Sequence, residues 1–248
     1  MRLLSHRPAA RYAQSVIIAA AVCPHPPMLV PEVAQGAEPD LAELRLACDA
    51  AVQELIASDP QHIAVLGDGP PDTYWDHHAG GTLKPYGVDV HAGGETDELP
   101  LGLTIGAWLL DRNGWTGTRA YATGEVDPRG RTALLVMADG TAKRSIEAPG
   151  YFDERAEDFD QLVSDALAAG DAHTLANLDE ELAAELWSGG ARPLRLLGNI
   201  VGNALGPNKL GPNALGPNKK NASVAAQLRY NEAPFGVGYW VANWSLTR

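Results

Sequence analysis

The residue best placed for chemistry in this sequence is His25, which follows an apolar run and stands among three prolines. The run from Val16 to Val22 predicts a buried strand that ends at the carboxyl edge of a sheet, where α/β folds carry their sites. Because each proline fixes φ and disfavours a helical residue before it, the imidazole stands on a stiff loop. Such an imidazole suits a metal ion or a proton transfer. The alternative is a ring satisfied by local backbone groups of a proline-rich turn.

Asp68 is the second candidate, because it also follows an apolar run. His62 to Leu66 predicts a buried strand, and Leu41 to Ile56 carries apolar residues at helical spacing. A strand, a helix and another strand predict a right-handed parallel crossover, which puts Asp68 at the same sheet edge as His25. Its carboxylate could bind a hard or borderline metal ion. The alternative is an Asp-Gly turn without chemistry.

The elements that position these residues predict a single α/β domain with a three-layer αβα architecture and a largely parallel central sheet. The domain is expected to span residues 16–248, with residues 1–15 as an N-terminal extension. Another apolar run, Arg131 to Ala138, ends before Asp139. The three strand ends, at His25, Asp68 and Asp139, should therefore line one shallow pocket.

Two C-terminal segments are expected to be additions to this core. Val224 to Tyr230 and Gly236 to Trp244 predict the two strands of a hairpin. Residues 203–221 contain the tetrapeptide Leu-Gly-Pro-Asn three times, at a period that fits neither helix nor strand. We interpret them as an inserted loop of successive turns, with a lysine-bearing lid as the functional alternative.

His77 and His78 are further candidates, in a segment that ends in two glycines. Adjacent residues of a strand point to opposite faces, so at most one would enter a given site unless the segment is an irregular loop. Either could replace a missing metal ligand. The alternative is a pair of solvent-exposed loop histidines.

The motif V-C-P-H-P-P-M-L-V-P-E, from Val22 to Glu32, resembles the opening motif of the class III extradiol dioxygenase superfamily. This group includes the catalytic subunit of protocatechuate 4,5-dioxygenase and the Memo-like proteins. The resemblance extends through three weaker segments, Leu99 to Trp108, Ala148 to Asp153 and Ala233 to Tyr239. It implies that His25 is a ligand of an active-site metal.

The resemblance also identifies positions at which this chain departs from the metal-binding members. They usually have a second ligand histidine where this chain has Asp68, and a ligand glutamate shortly before an Arg-Pro or similar pair. Counted back from Arg192-Pro193, the glutamate position falls at or near Ser188, and Glu185 lies three residues earlier. A facial triad for Fe(II) needs two histidines and one carboxylate.

The superfamily's general acid/base histidine corresponds here to Ala142, which cannot transfer a proton. Two functions remain open. One is a non-haem metal-dependent oxygenase that binds Fe(II), or zinc, and acts on an aromatic diol. In that case His25 is a ligand, and Asp68 with one of His77 or His78 replaces the missing ligands. The other is a non-catalytic module that binds a small molecule or a partner protein and needs no metal, so the sequence leaves enzyme activity undecided.

Charge and composition restrict the classes of partner and the cellular location that we expect. The chain has 19 Lys and Arg against 31 Asp and Glu, and its net charge of -12 disfavours nucleic acid and anionic membranes. No apolar run approaches the length of a membrane span. Two cysteines are too few for a disulfide framework, which predicts a reducing, cytoplasmic location. The N-terminal arginines imitate a secretory signal, but the apolar run after them is short. A homo-oligomer remains open.

Overall fold

A mixed sheet forms the centre of the protein, of which the computed structural model describes residues 16–206 and 223–247. Within these ranges, seven strands form one sheet in the order β3-β6-β2-β7-β1-β9-β8, and β4 pairs with β5 in a small separate ladder. The strands are β1 (Val16–Cys23), β2 (His62–Leu66), β3 (Tyr74–Trp75), β4 (Gly80–Thr82), β5 (His91–Gly93), β6 (Thr118–Ala122), β7 (Arg131–Met137), β8 (Ser223–Glu232) and β9 (Tyr239–Thr247).

The parallel part of the sheet brings the predicted strand ends together. Strands β6, β2, β7 and β1 run parallel to one another. Val136 of β7 is level with Leu66 of β2 on one side and with Val22 of β1 on the other. The loops that begin after these strands therefore leave from one edge, which we call the carboxyl edge. The prediction that His25, Asp68 and Asp139 follow strands ending at the same edge is confirmed.

Helices cover both faces of the sheet, as predicted. One apolar cluster joins Ala21 and Cys23 of β1 to α2 and α3, and a second joins Ala20 and Val22 to α4, α5, α6 and α7. The alternation along β1 thus divides the core between two faces. The helices are α1 (Pro31–Ala34), α2 (Ala42–Ala57), α3 (Leu101–Arg112), α4 (Arg155–Ala169), α5 (Ala172–Ala176), α6 (Glu180–Glu185) and α7 (Ala191–Leu205). Short 3-10 helices cover Pro27–Leu29, Gln35–Leu41, Lys84–Tyr86 and Pro234–Gly236.

The predicted C-terminal hairpin is confirmed, and it extends the sheet. Strands β8 and β9 pair antiparallel, and β9 pairs antiparallel with β1. Residues 203–205 of the expected insertion belong to α7, which ends at Leu205, where the first Leu-Gly-Pro-Asn repeat begins. The rest of the expected insertion from residue 207 on, like the predicted extension over residues 1–15, lies outside the described residues. Among the described helices, none combines the length and the hydropathy that crossing a membrane requires.

Candidate functional site at the carboxyl edge

His25 and Asp139 are in direct contact at the carboxyl edge. The backbone N–H of His25 donates a hydrogen bond of 2.7 Å to Asp139 Oδ1, and the same oxygen lies 3.4 Å from Nδ1 of the imidazole. Their side chains are 14% and 17% exposed. The contact exists because β1 and β7 are adjacent and parallel, so the loops that follow them meet. One carboxylate oxygen therefore fixes the backbone of His25 and also lies beside its ring.

The electrostatics of this pair follow from its burial. Burial raises the pKa of the Asp139 carboxyl, and the nearby His25 and its backbone N–H oppose part of that rise. Nδ1 of His25 is buried and has no hydrogen bond of good geometry within the described residues, so the 3.4 Å contact with Asp139 is electrostatic. An Nδ1–H that faces a carboxylate leaves the lone pair on Nε2. Nε2 is then the atom of His25 that can receive a ligand.

Two glycines flank the imidazole of His25. A Cβ atom on Gly102 would lie 3.4 Å from Cδ2 of the ring, and a Cβ atom on Gly189 would lie 3.5 Å from Cε1 and 3.6 Å from Nε2. Larger side chains at these positions would extend over the ring. Glycine at both positions therefore leaves space beside these ring atoms, although the side chain as a whole is only 14% exposed. The sequence alone marks neither Gly102 nor Gly189 as a neighbour of His25.

Ser188 belongs to the site through the backbone of Asp139. Its Oγ donates a hydrogen bond of 3.1 Å to the carbonyl oxygen of Asp139. The next residues pass even closer, because a Cβ atom on Gly190 would lie 2.5 Å from that same oxygen. A glycine is thus required where the chain enters α7 beside Asp139. Ser188 supports the site and offers no carboxylate to it.

Asp68 and Glu185 have partners of their own. Asp68 Oδ1 accepts a hydrogen bond of 2.9 Å from the N–H of Gly69, and the residue is exposed. This carboxylate is thus bonded to the residue that follows it in the chain. Glu185 Oε2 accepts a hydrogen bond of 2.7 Å from Arg155 Nη1 in an exposed ion pair. Both carboxylates therefore contact residues other than His25.

Three exposed aromatic residues lie on loops at the carboxyl edge, and we call them the aromatic rim. Tyr151, Trp187 and Phe235 have φ values of 60°, 57° and 59°. Positive φ is an outlier for bulky residues, and such strain concentrates at functional sites. All three side chains are exposed, at 74%, 57% and 45%.

Backbone hydrogen bonds join the three loops that carry the rim. Ala142 N–H donates to the carbonyl oxygen of Leu186 at 3.1 Å, and Arg144 N–H donates to that of Gly236 at 3.0 Å. Lys143 Nζ lies 5.6 Å from the centroid of the Trp187 ring, a distance typical of a cation–π contact. The rim therefore stands on loops that support one another.

The carboxylate of Asp160, on α4, anchors the loop that follows β7 through three hydrogen bonds. Its Oδ1 accepts the N–H of Thr141 at 2.9 Å, and its Oδ2 accepts the Thr141 hydroxyl at 2.9 Å and Arg144 Nη1 at 3.1 Å. Burial raises the pKa of this carboxyl, and the hydrogen bonds from Thr141 and Arg144 oppose the rise. A Cβ atom on Gly238 would lie 2.3 Å from Oδ2, so glycine allows this approach. The sequence does not distinguish Asp160, because α4 carries many other acidic residues.

Tyr239, the first residue of β9, lies beside Asp139. It pairs with Asp139 through an isolated β-bridge, and its side chain is buried. Burial raises the pKa of the Tyr239 phenol, and the charge of Asp139 raises it further. The phenol therefore stays neutral beside the carboxylate over the ordinary pH range.

Comparison with known proteins does not assign the chain to a family. No protein-family model matches the chain, and no curated protein matches it. The resemblance of the segment from Val22 to Glu32 to the extradiol dioxygenase superfamily therefore stays a prediction from the sequence.

His77 and His78 lie with Asp76 instead of with His25. One ligand atom from each of these three exposed residues lies within 4.8 Å of the other two. In the described part of the chain, no such group of three His, Cys, Asp or Glu side chains includes His25. A two-histidine, one-carboxylate iron centre needs three ligands on one side of the metal. The described residues around His25 do not fit that centre.

A separate cleft of about 230 Å³ lies near the start of β1, beside α7. Val16, Ile17, Val126 and Ile200 line it together with the polar residues Glu125 and Asn199. Because β1 begins here and ends at Cys23, the cleft is at the opposite edge of the sheet from His25. A molecule in this cleft would not meet the pair of His25 and Asp139.

Proposed function

We propose that this protein binds a small hydroxylated aromatic molecule at the carboxyl edge, with His25 as the group that recognises a hydroxyl. The contact between Asp139 and His25 carries this proposal. The carboxylate beside Nδ1 leaves Nε2 to accept a hydrogen bond from a phenolic hydroxyl. Because the His25 side chain is already largely buried beside Asp139, at 14% exposure, little side-chain freedom is lost when the ligand binds.

The surroundings of His25 suit a flat ligand. Gly102 leaves space beside Cδ2 of the imidazole, and Gly189 leaves space beside Cε1 and Nε2. Trp187, two residues before Gly189, offers an exposed aromatic surface on the same segment. Aromatic rings stack with each other in offset or edge-to-face arrangements. These features support an aromatic diol over an aliphatic ligand.

The donor set favours binding over ring-cleaving oxygenation. An oxygenase would need Fe(II), or zinc, on His25 and two more ligands, but Asp68 is bonded to the N–H of Gly69 and Glu185 pairs with Arg155. Ala142 stands where the resembling enzymes have a proton-transferring histidine, and alanine has no such proton. The chain thus lacks both the metal ligands and the proton-transferring histidine of such an enzyme. A fold can carry a binding site without that reaction, because function depends on the residues of the site and not on the fold.

We further propose a cytoplasmic location and no nucleic-acid partner. Cys23 and Cys48 are both buried and free, and burial together with a contact to Cys23 raises the pKa of the Cys48 thiol. Two neighbouring thiols that stay reduced fit a reducing compartment. The net charge of -12 opposes binding to a phosphate backbone.

Isothermal titration with catechol tests the proposed function. We expect saturable binding of catechol and much weaker binding of its dimethyl ether, which has the same ring but cannot donate a hydrogen bond. His25→Ala should weaken catechol binding by about tenfold, the value of one hydrogen bond. His62→Ala is the matched control, because His62 begins β2 at the opposite edge of the sheet.

Two results would contradict the proposal. One is equal binding of catechol by the wild type and His25→Ala. The other is oxygen consumption by wild-type protein supplied with Fe(II) and catechol, measured with an oxygen electrode and lost in His25→Ala. That second result would establish the oxygenase hypothesis instead.

A further inference from the structure

The segment between β3 and β4 carries a second cluster of metal-binding side chains, separate from His25. Asp76, His77 and His78 are exposed, with one ligand atom from each within 4.8 Å of the others. The two imidazole rings lie 4.1 Å apart, centroid to centroid, at 37°. Imidazole nitrogen and carboxylate oxygen are the donors that zinc, nickel and copper ions take. We propose that these three residues bind one divalent cation of this class, with its remaining positions open to water.

The turn that carries the cluster is fixed by its own hydrogen bonds. Asp76 Oδ1 accepts the N–H of His78 at 2.9 Å, and the carbonyl oxygen of Asp76 accepts the N–H of Ala79 at 3.2 Å. The first contact uses one carboxylate oxygen and leaves the second for a cation. It also orients the carboxylate towards the residues that carry the imidazoles, as supporting hydrogen bonds do in metal sites.

A neighbouring segment holds the turn from the other side. The carbonyl oxygen of His78 accepts the N–H of Glu95 at 2.9 Å, and Gly94 N–H donates to the carbonyl oxygen of Ala79 at 2.8 Å. A Cβ atom on Gly94 would lie 2.1 Å from the carbonyl oxygen of His78, so only glycine permits this approach. Ala79, directly after the cluster, is buried. The three ligands thus stand on a backbone that is ordered before any cation binds, which lowers the entropic cost of binding.

The imidazoles of His77 and His78 differ from that of His91 on the adjacent strand β5. Nε2 of His91 lies 3.1 Å from Asp97 Oδ1 and 3.2 Å from the carbonyl oxygen of Thr96. Within the described residues, neither ring of His77 and His78 has a hydrogen bond or ion pair, and each contacts the other ring. A cation at His77 and His78 therefore displaces no protein partner, whereas one at His91 would compete with Asp97.

The spacing of the ligand atoms requires only a small closure. Bonds of about 2.1 Å in a tetrahedral zinc site separate the ligand atoms by roughly 3.4 Å. Ligand atoms within 4.8 Å of one another therefore need to approach by at most about 1.4 Å. Exposed imidazoles reach this by rotation about their side-chain bonds, because no packing holds them. The acidic residues Glu95 and Asp97 on the adjoining segment add an attractive field for a cation.

Isothermal titration calorimetry with Zn²⁺ and with Ni²⁺ tests this site. The protein is untagged and is first stripped of metal with a chelator. We expect one cation per chain, and a loss of affinity of at least about tenfold in His77→Ala and in His78→Ala. His91→Ala is the matched control, because His91 is an exposed histidine of the same ladder and should leave binding unchanged. Asp76→Asn keeps the acceptor for the N–H of His78 but removes the charge, so it should weaken binding without disturbing the turn.

His25→Ala separates this site from the carboxyl edge. Binding of the cation should be unchanged in this variant, and catechol binding should be unchanged in His77→Ala, so the two proposals fail independently. Absence of saturable heat with both cations in the wild type would overturn the inference. Wild-type affinity in a folded His77→Ala/His78→Ala double variant, checked by its thermal melting curve, would overturn it as well.

Discussion

Asp139 contacts His25 at two points with a single carboxylate oxygen, 2.7 Å from the backbone nitrogen and 3.4 Å from Nδ1 of the ring. The carboxyl group is largely buried, with its side chain 17% exposed, and burial raises its pKa. The pair therefore orders the backbone of His25 at the expense of a carboxyl group that is poorly solvated.

Replacement of Asp139 by Asn should change how stability depends on pH. Burial raises the pKa of Asp139 above its ordinary 3.8, so the folded protein holds this proton more strongly than the unfolded chain. The resulting stabilisation is present below pH 3.8 and is lost as pH rises through the folded-state pKa. Asp139→Asn keeps the acceptor for His25 N–H but cannot ionise. The free energy of unfolding, measured with urea from just below pH 3.8 up to neutral pH, should lose this part of its pH dependence in the variant. An unaltered pH profile would contradict the prediction.

Gly189→Ala should weaken catechol binding without unfolding the protein. The new methyl group would lie 3.6 Å from Nε2 of His25, an ordinary contact for the protein but an obstacle for a ligand at that atom. A misplaced methyl group in a binding pocket costs about tenfold in affinity. Calorimetry with catechol measures the change.

Gly36→Ala is the control for this substitution, because a Cβ atom there has no neighbour within 4 Å. Both variants should melt within a few degrees of the wild type, since a surface substitution is worth less than about 0.5 kcal/mol. Equal affinity of Gly189→Ala and the wild type would argue that the ligand does not approach Nε2.

The central fold could be predicted because its signals are local. The run from Val16 to Val22 is apolar on both faces of the sheet, which is typical of a strand buried between two helical layers. Proline and glycine mark the corners after β1 and β2. The crossover rule then placed His25 and Asp68 at one edge. The short strands β3, β4 and β5 were not predicted, since two or three residues are too few to show a period.

The details of the site could not be predicted, because they depend on contacts between distant residues. His25 and Asp139 are 114 positions apart, and only the pairing of β1 with β7 brings them into contact. The position of Gly189 beside His25 has no local signal at all. For Asp160, the pattern of acidic residues along α4 suggested exposure, and the burial of its carboxylate follows from a loop in another part of the chain.

Asp160→Ala should destabilise the protein strongly. The substitution removes three hydrogen bonds and leaves the Arg144 guanidinium, which is 23% exposed, without this carboxylate. Breaking a buried charge pair costs about 3–5 kcal/mol, and the remaining contact of Arg144 with the exposed Glu157 places the expected loss near the lower end. Urea unfolding measures the free energy. Asp158→Ala on the same helix, an exposed position, is the control, and a similar small loss in both variants would refute the structural role of Asp160.

Asp153 provides a titration that reports on the loop next to the aromatic rim. Hydrogen bonds from the guanidinium and the backbone N–H of Arg155 lower the pKa of Asp153 to about 2. A lowered carboxyl pKa contributes stability above the ordinary value of 3.8, and that contribution is lost as pH falls towards 2. Carbon-detected NMR of the side-chain carboxyl groups should therefore show Asp153 titrating near pH 2 in the wild type and closer to 3.8 in Arg155→Ala. Arg112→Ala, which removes a different exposed arginine that pairs with Asp49, should leave the Asp153 titration unchanged. If Asp153 titrates at the same pH in the wild type and in Arg155→Ala, the ion pair that also engages Glu185 does not persist in solution.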